Sequence, residues 1–68
     1  MKQEQADVTH EEAEYIAAIR ENSPATTKAI ADTVGVTRQA ADYRLRQLAE
    51  ADEVESDMVG NTLIWSIV

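Results

Sequence analysis

Residues 27–48 decide the fold of this chain, and they read TKAIADTVGVTRQAADYRLRQL. Apolar residues recur at helical spacing in the first part of this stretch, which predicts a short helix over 27–34. Gly35 stands where a glycine in the left-handed region would close that helix. Thr37 then has the side chain of a helix N-cap and predicts a longer helix over 38–51. We therefore expect two helices joined by a very short turn.

A turn this short makes the two helices cross closely. Either Thr26 or Thr27 has the hydroxyl needed to cap the first helix. We expect Val36 to fill the angle between the helices and the small Ala31 to allow their close approach. The second helix has an apolar stripe formed by Ala41, Leu45 and Leu48. This pattern is typical of a helix-turn-helix arrangement, whose remaining apolar side needs further elements to cover it.

The residues before this pair predict one more helix. Thr9 has the chemistry of an N-cap, and Glu12 three positions later completes a capping box. Pro24 disfavours helical backbone in the residue before it, so the helix is expected over about 10–21. Residues 1–8 are polar and lack an apolar period, which indicates a flexible N-terminal lead-in.

The apolar period changes from 3.6 to 2 near the end of the chain. A short strand is expected over 54–56, a turn region over 57–61 with Gly60 and Asn61 at its tip, and a returning strand over 63–67. The fold class predicted is mainly α with a small β hairpin, in one domain over residues 9–68. Trp65 and Ile67 are expected in the core, whereas Tyr15 fits either the core edge or a dimer contact.

Charge is unevenly distributed along the chain. Thirteen acidic residues against six basic ones give a net charge of −7, whereas a protein that binds nucleic acid is expected to be basic. Residues 25–48 depart from this average, because they contain four basic and only two acidic side chains. One stretch is therefore kept positive in an otherwise acidic chain.

Several functional classes have no support in the composition. The absence of cysteine excludes disulfides and thiolate zinc sites, and we predict no metal, no cofactor and no catalytic residue. The longest apolar stretch is too short to span a membrane, and no signal peptide is recognisable, so we expect a cytoplasmic protein with no membrane partner.

Residues 27–48, with the segment AEADEVE over 49–55, resemble the helix-turn-helix of bacterial and archaeal winged-helix regulators of the MarR-like and ArsR-like kind. The resemblance covers about residues 25–67. It implies a three-helix winged helix-turn-helix that binds double-stranded DNA by placing the helix over 38–51 in the major groove. Transcriptional repression by a homodimer on a pseudo-palindromic site is the function that we expect.

The helical period says which side of the third helix would face the DNA. With the apolar stripe turned inward, the opposite side presents Arg38, Gln39, Asp42, Tyr43 and Arg46. The helix starts add backbone N–H groups and hydroxyls for phosphates at Thr26, Thr27, Lys28 and Thr37, and Arg44 is expected to reach the DNA backbone from the flank. The wing lacks the basic residue common in such proteins, which leaves Asn61 and Thr62 as its only donors.

Two less specific interpretations compete with DNA recognition. The polar side of the third helix is also compatible with an ordinary solvated surface, on which Arg38 and Asp42 form an i, i+4 ion pair. The alternative function is a winged-helix module that binds protein through its acidic surface. The excess of acids, the two lysines and the alanine-rich core predict a salt-in halophile, an archaeon or its virus, as the source.

Overall fold

The computed structural model describes the backbone of residues 3–68 and the side chains of residues 12–68. Within these residues, three helices precede a two-stranded antiparallel hairpin, which confirms the predicted mainly α fold with a small β hairpin. The elements are α1 (Gln3–Glu21), α2 (Thr27–Val34), α3 (Arg38–Glu50), β1 (Val54–Val59) and β2 (Thr62–Ile67). No helix in this part of the chain is long and apolar enough to cross a lipid bilayer.

Both ends of α2 and the beginning of α3 are formed by the residues that the sequence predicts. Of the two candidate caps for α2, Thr26 takes the role, since its hydroxyl accepts the Ala29 N–H over 3.0 Å. Gly35 closes α2 in the left-handed region with a φ of +90°. Thr37 caps α3 in the same way, accepting the Ala40 N–H over 3.1 Å. Local capping chemistry therefore determines where the turn between the two helices lies.

One core joins all three helices and the hairpin. Its largest fully buried side chains are Ile30, Leu45 and Val54. Tyr15 is only 3% exposed, so it belongs to the core and is not available for a dimer contact. Trp65 is buried as predicted, whereas Ile67 is only partly buried against the core. The further buried hydrophobic residues are Ala18, Ile19, Ala25, Ala31, Ala41 and Leu48.

Val36 does not fill the angle between α2 and α3, because its side chain is 37% exposed. Ala31 on α2 and Ala41 on α3 are both buried and carry only a methyl group, which permits the close approach that the short turn requires. Small side chains at a helix crossing bring the backbones together, and the residue in the turn is then left at the surface.

The hairpin is longer than the sequence pattern suggests. Its register runs from the pair Val54 and Ile67 to the pair Val59 and Thr62, so only Gly60 and Asn61 remain in the turn. Gly60 has a φ of +64° and Asn61 does not have a positive φ, which is the pattern of a two-residue II′ turn. Such a turn lets the strands pair up to its edge, and residues 57–59 therefore belong to β1.

The hairpin is also tied to the start of α2. The Trp65 N–H donates to the Ala25 carbonyl over 2.9 Å, and Thr26 forms an isolated antiparallel bridge with Ile64. Because Thr26 is the cap of α2, this bridge fixes the position of the hairpin relative to the beginning of the helix-turn-helix.

The beginning of α1 and the end of α3 differ from the sequence-based expectations. Helix α1 begins at Gln3, so Thr9 lies inside the helix and does not cap it. No proline or glycine interrupts residues 3–21, which are rich in good helix formers. Helix α3 stops at Glu50, and Asp52 takes the left-handed position after it with a φ of +62°. Met1 and Lys2 lie outside the described residues, and the flexible lead-in over 1–8 stays a prediction.

Candidate nucleic-acid interface

The exposed side of α3 and the hairpin enclose an open groove of about 560 Å³, here called the α3 groove. Arg38, Gln39 and Arg46 are exposed along it, and Asp42 is half-buried. They come together because residues three or four apart share one side of a helix while Leu45 and Leu48 hold the other side in the core. The lining residues are Thr27, Arg38, Gln39, Asp42, Arg46, Met58, Asn61 and Leu63.

A second depression adjoins the α3 groove at the start of α2, and we call it the α2 cleft. Arg38 and Asn61 line both depressions, which makes the two a continuous surface. The bridge between Thr26 and Ile64 accounts for this continuity, since it places the hairpin beside the first turn of α2. The α2 cleft is lined by Thr26, Thr27, Lys28, Arg38, Asn61, Thr62 and Leu63.

Most of the sequence-predicted site residues therefore lie on one side of the molecule. Nine of them line one or both depressions: Thr26, Thr27, Lys28, Arg38, Gln39, Asp42, Arg46, Asn61 and Thr62. The other three, Thr37, Tyr43 and Arg44, line neither of them.

Asp42 pairs with Arg46 and not with Arg38, so the predicted ion pair is wrong. The Arg46 Nε–H donates to Asp42 Oδ2 over 2.9 Å. On a helix, an acid placed four residues before a base is the more favourable orientation, and Asp42 has that relation to Arg46 but the reverse relation to Arg38. Both residues of the pair line the α3 groove, so a ligand that binds in the groove would lie beside them.

Thr27 does not have the phosphate-binding role that the sequence predicts. Its side chain is buried, and its Oγ1 accepts the Trp65 Nε1–H over 2.9 Å. That hydroxyl is therefore part of the core and not an exposed phosphate donor. The hydroxyls of Thr26 and Thr37 accept bonds from their own helices but keep their own protons, so each still has a donor to offer.

Lys28 forms an exposed ion pair at the start of α2. Its Nζ lies 3.0 Å from Asp32 Oδ2, with side-chain exposures of 75% and 67%. Pairs this exposed are weak and readily exchanged, with a typical strength of about 0.2–1 kcal/mol. The ammonium group therefore remains accessible to an anion in the α2 cleft.

Tyr43 and Arg44 belong to a separate cluster on the flank of α3. The Arg44 Nη1–H donates to Gln47 Oε1 over 3.1 Å, and the Gln47 Nε2–H donates to Tyr43 Oη over 3.1 Å. Tyr43 is 64% exposed in spite of this bond. Gln47 was not among the predicted site residues, although its spacing from its two partners would have indicated it.

Met58 and Leu63 line the α3 groove and were missed by the sequence analysis. They are paired across the hairpin, on the same face as the buried Trp65. The prediction of a turn over 57–61 concealed Met58, and Leu63 was placed in the returning strand without a role in the site. Because side chains alternate along a strand, Asp57 lies on the opposite face, so the acid of the wing does not point into the groove.

The helix-turn-helix domain family has a model that matches residues 16–56. The match runs from within α1 into β1 and contains α2 and α3 entirely. No curated protein and no solved structure gives a significant match. Because the matched region is more than half of the chain, the protein belongs to the helix-turn-helix domain family.

Proposed function

We propose that this protein is a transcriptional regulator that binds double-stranded DNA with sequence specificity and acts as a repressor. The observation that carries the proposal is the exposed polar side of α3, where Arg38, Gln39 and Arg46 stand beside the hairpin in one open groove. Membership of the helix-turn-helix domain family supports the same function. An α-helix of this kind fits the major groove of B-DNA, where arginine and glutamine side chains read guanine and adenine edges.

Each part of the surface has a distinct task in this proposal. Arg38, Gln39 and Arg46 contact base edges. The α2 cleft contacts the phosphates through Lys28 and the N–H groups at the start of α2, where the helix dipole is positive. The remaining contacts to the DNA backbone and to the minor groove are assigned to Thr26, Thr37, Tyr43, Arg44, Asn61 and Thr62.

The geometry of operators supports the proposed dimer. A homodimer presents two copies of α3 about 34–36 Å apart, which matches successive major grooves on one face of the duplex. A domain of this size buries a modest fraction of its surface, so an additional interface would also stabilise it. Binding over a promoter is sufficient for repression, since it needs no further activity of the protein.

The acidic remainder of the chain suits a cytoplasm rich in salt, and we propose a salt-in halophile as the source. Eleven of the thirteen acidic residues lie outside 25–48, where they would repel DNA in dilute buffer. At 1 M salt the Debye length falls to about 3 Å, so only charges in direct contact with the duplex remain effective. The free energy of unfolding is expected to rise from dilute to molar KCl, and a fall would contradict this source.

The test of the function is binding-site selection from random duplex in molar KCl, followed by affinity measurements on the enriched sequence. We expect one enriched motif. Arg38→Ala and Arg46→Ala should each weaken binding to it by about 1–3 kcal/mol. Unchanged affinity in both variants would overturn the assignment of α3 as the recognition helix.

The acidic surface favours a second candidate function, a module that binds a basic protein segment. Exposed carboxylates occur on α1 and on β1, away from the α3 groove, and include Glu14, Glu21, Glu55 and Asp57. The same selection experiment separates the candidates, because this module would enrich no duplex at any KCl concentration.

A further inference from the structure

The ion pair between Asp42 and Arg46 occupies an unusual place for a surface pair. Both residues line the α3 groove, which the proposed function assigns to DNA. Arg46 has a side-chain exposure of 65%, but Asp42 has only 38%. A carboxylate at this position would be repelled by phosphates, so its presence requires a physical account.

The atoms in contact indicate what the pair does to the arginine. The bond uses Arg46 Nε, at 2.9 Å from Asp42 Oδ2. A guanidinium group is planar and has five N–H donors in a fixed fork, so this bond leaves the four donors on the two terminal nitrogens available. Fixing Nε also orients the plane of the group. The terminal nitrogens then form the free edge, which is the edge that donates twice to O6 and N7 of guanine.

We propose that Asp42 is a positioning residue that makes Arg46 specific for guanine, an inference that rests on the DNA-binding function proposed above. The carboxylate holds the guanidinium fork in place before DNA arrives. It also neutralises the charge of Arg46, so that phosphates of an unrelated duplex gain little from that side chain. Asp42 therefore raises the preference for a G·C pair under Arg46 and lowers the affinity for non-cognate DNA.

These two effects distinguish positioning from a merely structural role. If Asp42 only stabilised α3, its removal would weaken the binding of all duplexes alike. If it positions Arg46, its removal weakens base preference while the freed positive charge strengthens the binding of random sequence. Non-specific binding is almost entirely electrostatic, so this second effect is largest in dilute salt.

The chain provides a matched control in the pair between Lys28 and Asp32. This pair has the same i, i+4 spacing and a similar distance of 3.0 Å, but its carboxylate lies outside both depressions. Asp32→Ala removes the same charge as Asp42→Ala and frees a basic side chain in the same way. The charge effect should therefore appear in both variants, and the loss of base preference in one alone.

The experiment selects the preferred duplex with the intact chain and then measures affinities for every base at each position. With Asp42→Ala, the preference for guanine at one position should fall about two- to tenfold. The reason is that the Arg46 side chain, no longer held by the carboxylate, must then be ordered when DNA binds. Affinity for random duplex should rise about two- to fivefold in dilute salt. Asp32→Ala should keep the preference. Arg46→Lys should lose it at the same position, because lysine keeps the charge but not the fork.

The outcomes separate the positioning role of Asp42 from the proposed DNA-binding function. Full guanine preference in Asp42→Ala, with the fold verified by circular dichroism, would overturn the positioning role and leave DNA binding intact. Equal loss of affinity for all sequences would do the same. Absence of any enriched duplex with the intact chain would refute the proposed function, and the positioning role with it. Alanine is a better helix former than aspartate, so the variant is expected to fold.

Discussion

The hydrogen bond between Trp65 and Thr27 should make a measurable contribution to stability, because it is buried and joins β2 to the first turn of α2. The indole Nε1–H and the hydroxyl oxygen are 2.9 Å apart, and the two side chains are 3% and 8% exposed. Thr27→Val keeps the shape of the side chain but leaves the indole N–H without an acceptor. An unsatisfied buried donor costs about 1–3 kcal/mol, which is a large part of the roughly 3–10 kcal/mol expected for a domain of this length.

A double-mutant cycle isolates this bond from the packing of the indole ring. Trp65→Phe removes the donor together with part of the ring, and the double variant with Thr27→Val lacks both partners. We expect the sum of the two single losses of unfolding free energy to exceed the loss in the double variant by about 1–2 kcal/mol. Unfolding in urea is best followed by far-UV circular dichroism. Trp65 is the single tryptophan, so Trp65→Phe leaves no tryptophan fluorescence to measure.

Thr27→Ser is the matched control, since it keeps the acceptor oxygen and removes only a methyl group. It should be the mildest of the Thr27 variants. A coupling energy near zero between the two positions would show that the bond does not form in solution. The account of how the hairpin is held beside α2 would then be wrong.

Three further predictions follow from backbone geometry and from the wing. Asp52→Gly should raise the free energy of unfolding by about 0.5–1 kcal/mol, because glycine adopts the φ of +62° without strain; a lower melting temperature would contradict this. Gly35→Ala should lower the free energy of unfolding by about 1 kcal/mol through backbone strain alone, since an added Cβ meets nothing within 4 Å. A loss of several kcal/mol in urea unfolding would contradict this, because it would require a steric clash. Met58→Lys should strengthen DNA binding and steepen its salt dependence by about one phosphate contact, whereas Ser66→Lys, on the opposite face of the hairpin and outside both depressions, should do so less; equal effects by fluorescence anisotropy would remove the hairpin face from the interface.

The helix-turn-helix could be predicted because its boundaries are encoded locally. Thr37 caps α3 through a backbone N–H three residues away, and Gly35 closes α2 through its own φ. Such signals need no knowledge of the rest of the fold. The beginning of α1 lacked a decisive signal of this kind, because Thr9 has the right chemistry for a cap but the helix continues through it.

The remaining differences arise from contacts that sequence spacing does not determine. The bond from Trp65 to Thr27 joins residues 38 positions apart, so the burial of the threonine depends on how the hairpin packs. Asp42 has an arginine four residues away on either side, and spacing alone allows both pairs. The extent of β1 depends on a turn of only two residues, which the polar composition of 57–61 concealed.

Contact between α3 and the major groove is the central claim, and methylation interference tests it most directly. Methylation of guanine N7 blocks the major-groove edge without altering base pairing. On the selected duplex, methylation of specific guanines should abolish binding by the intact chain, and one of these positions should lose its effect in Arg46→Ala. Binding that is insensitive to N7 methylation at every guanine would contradict the claim.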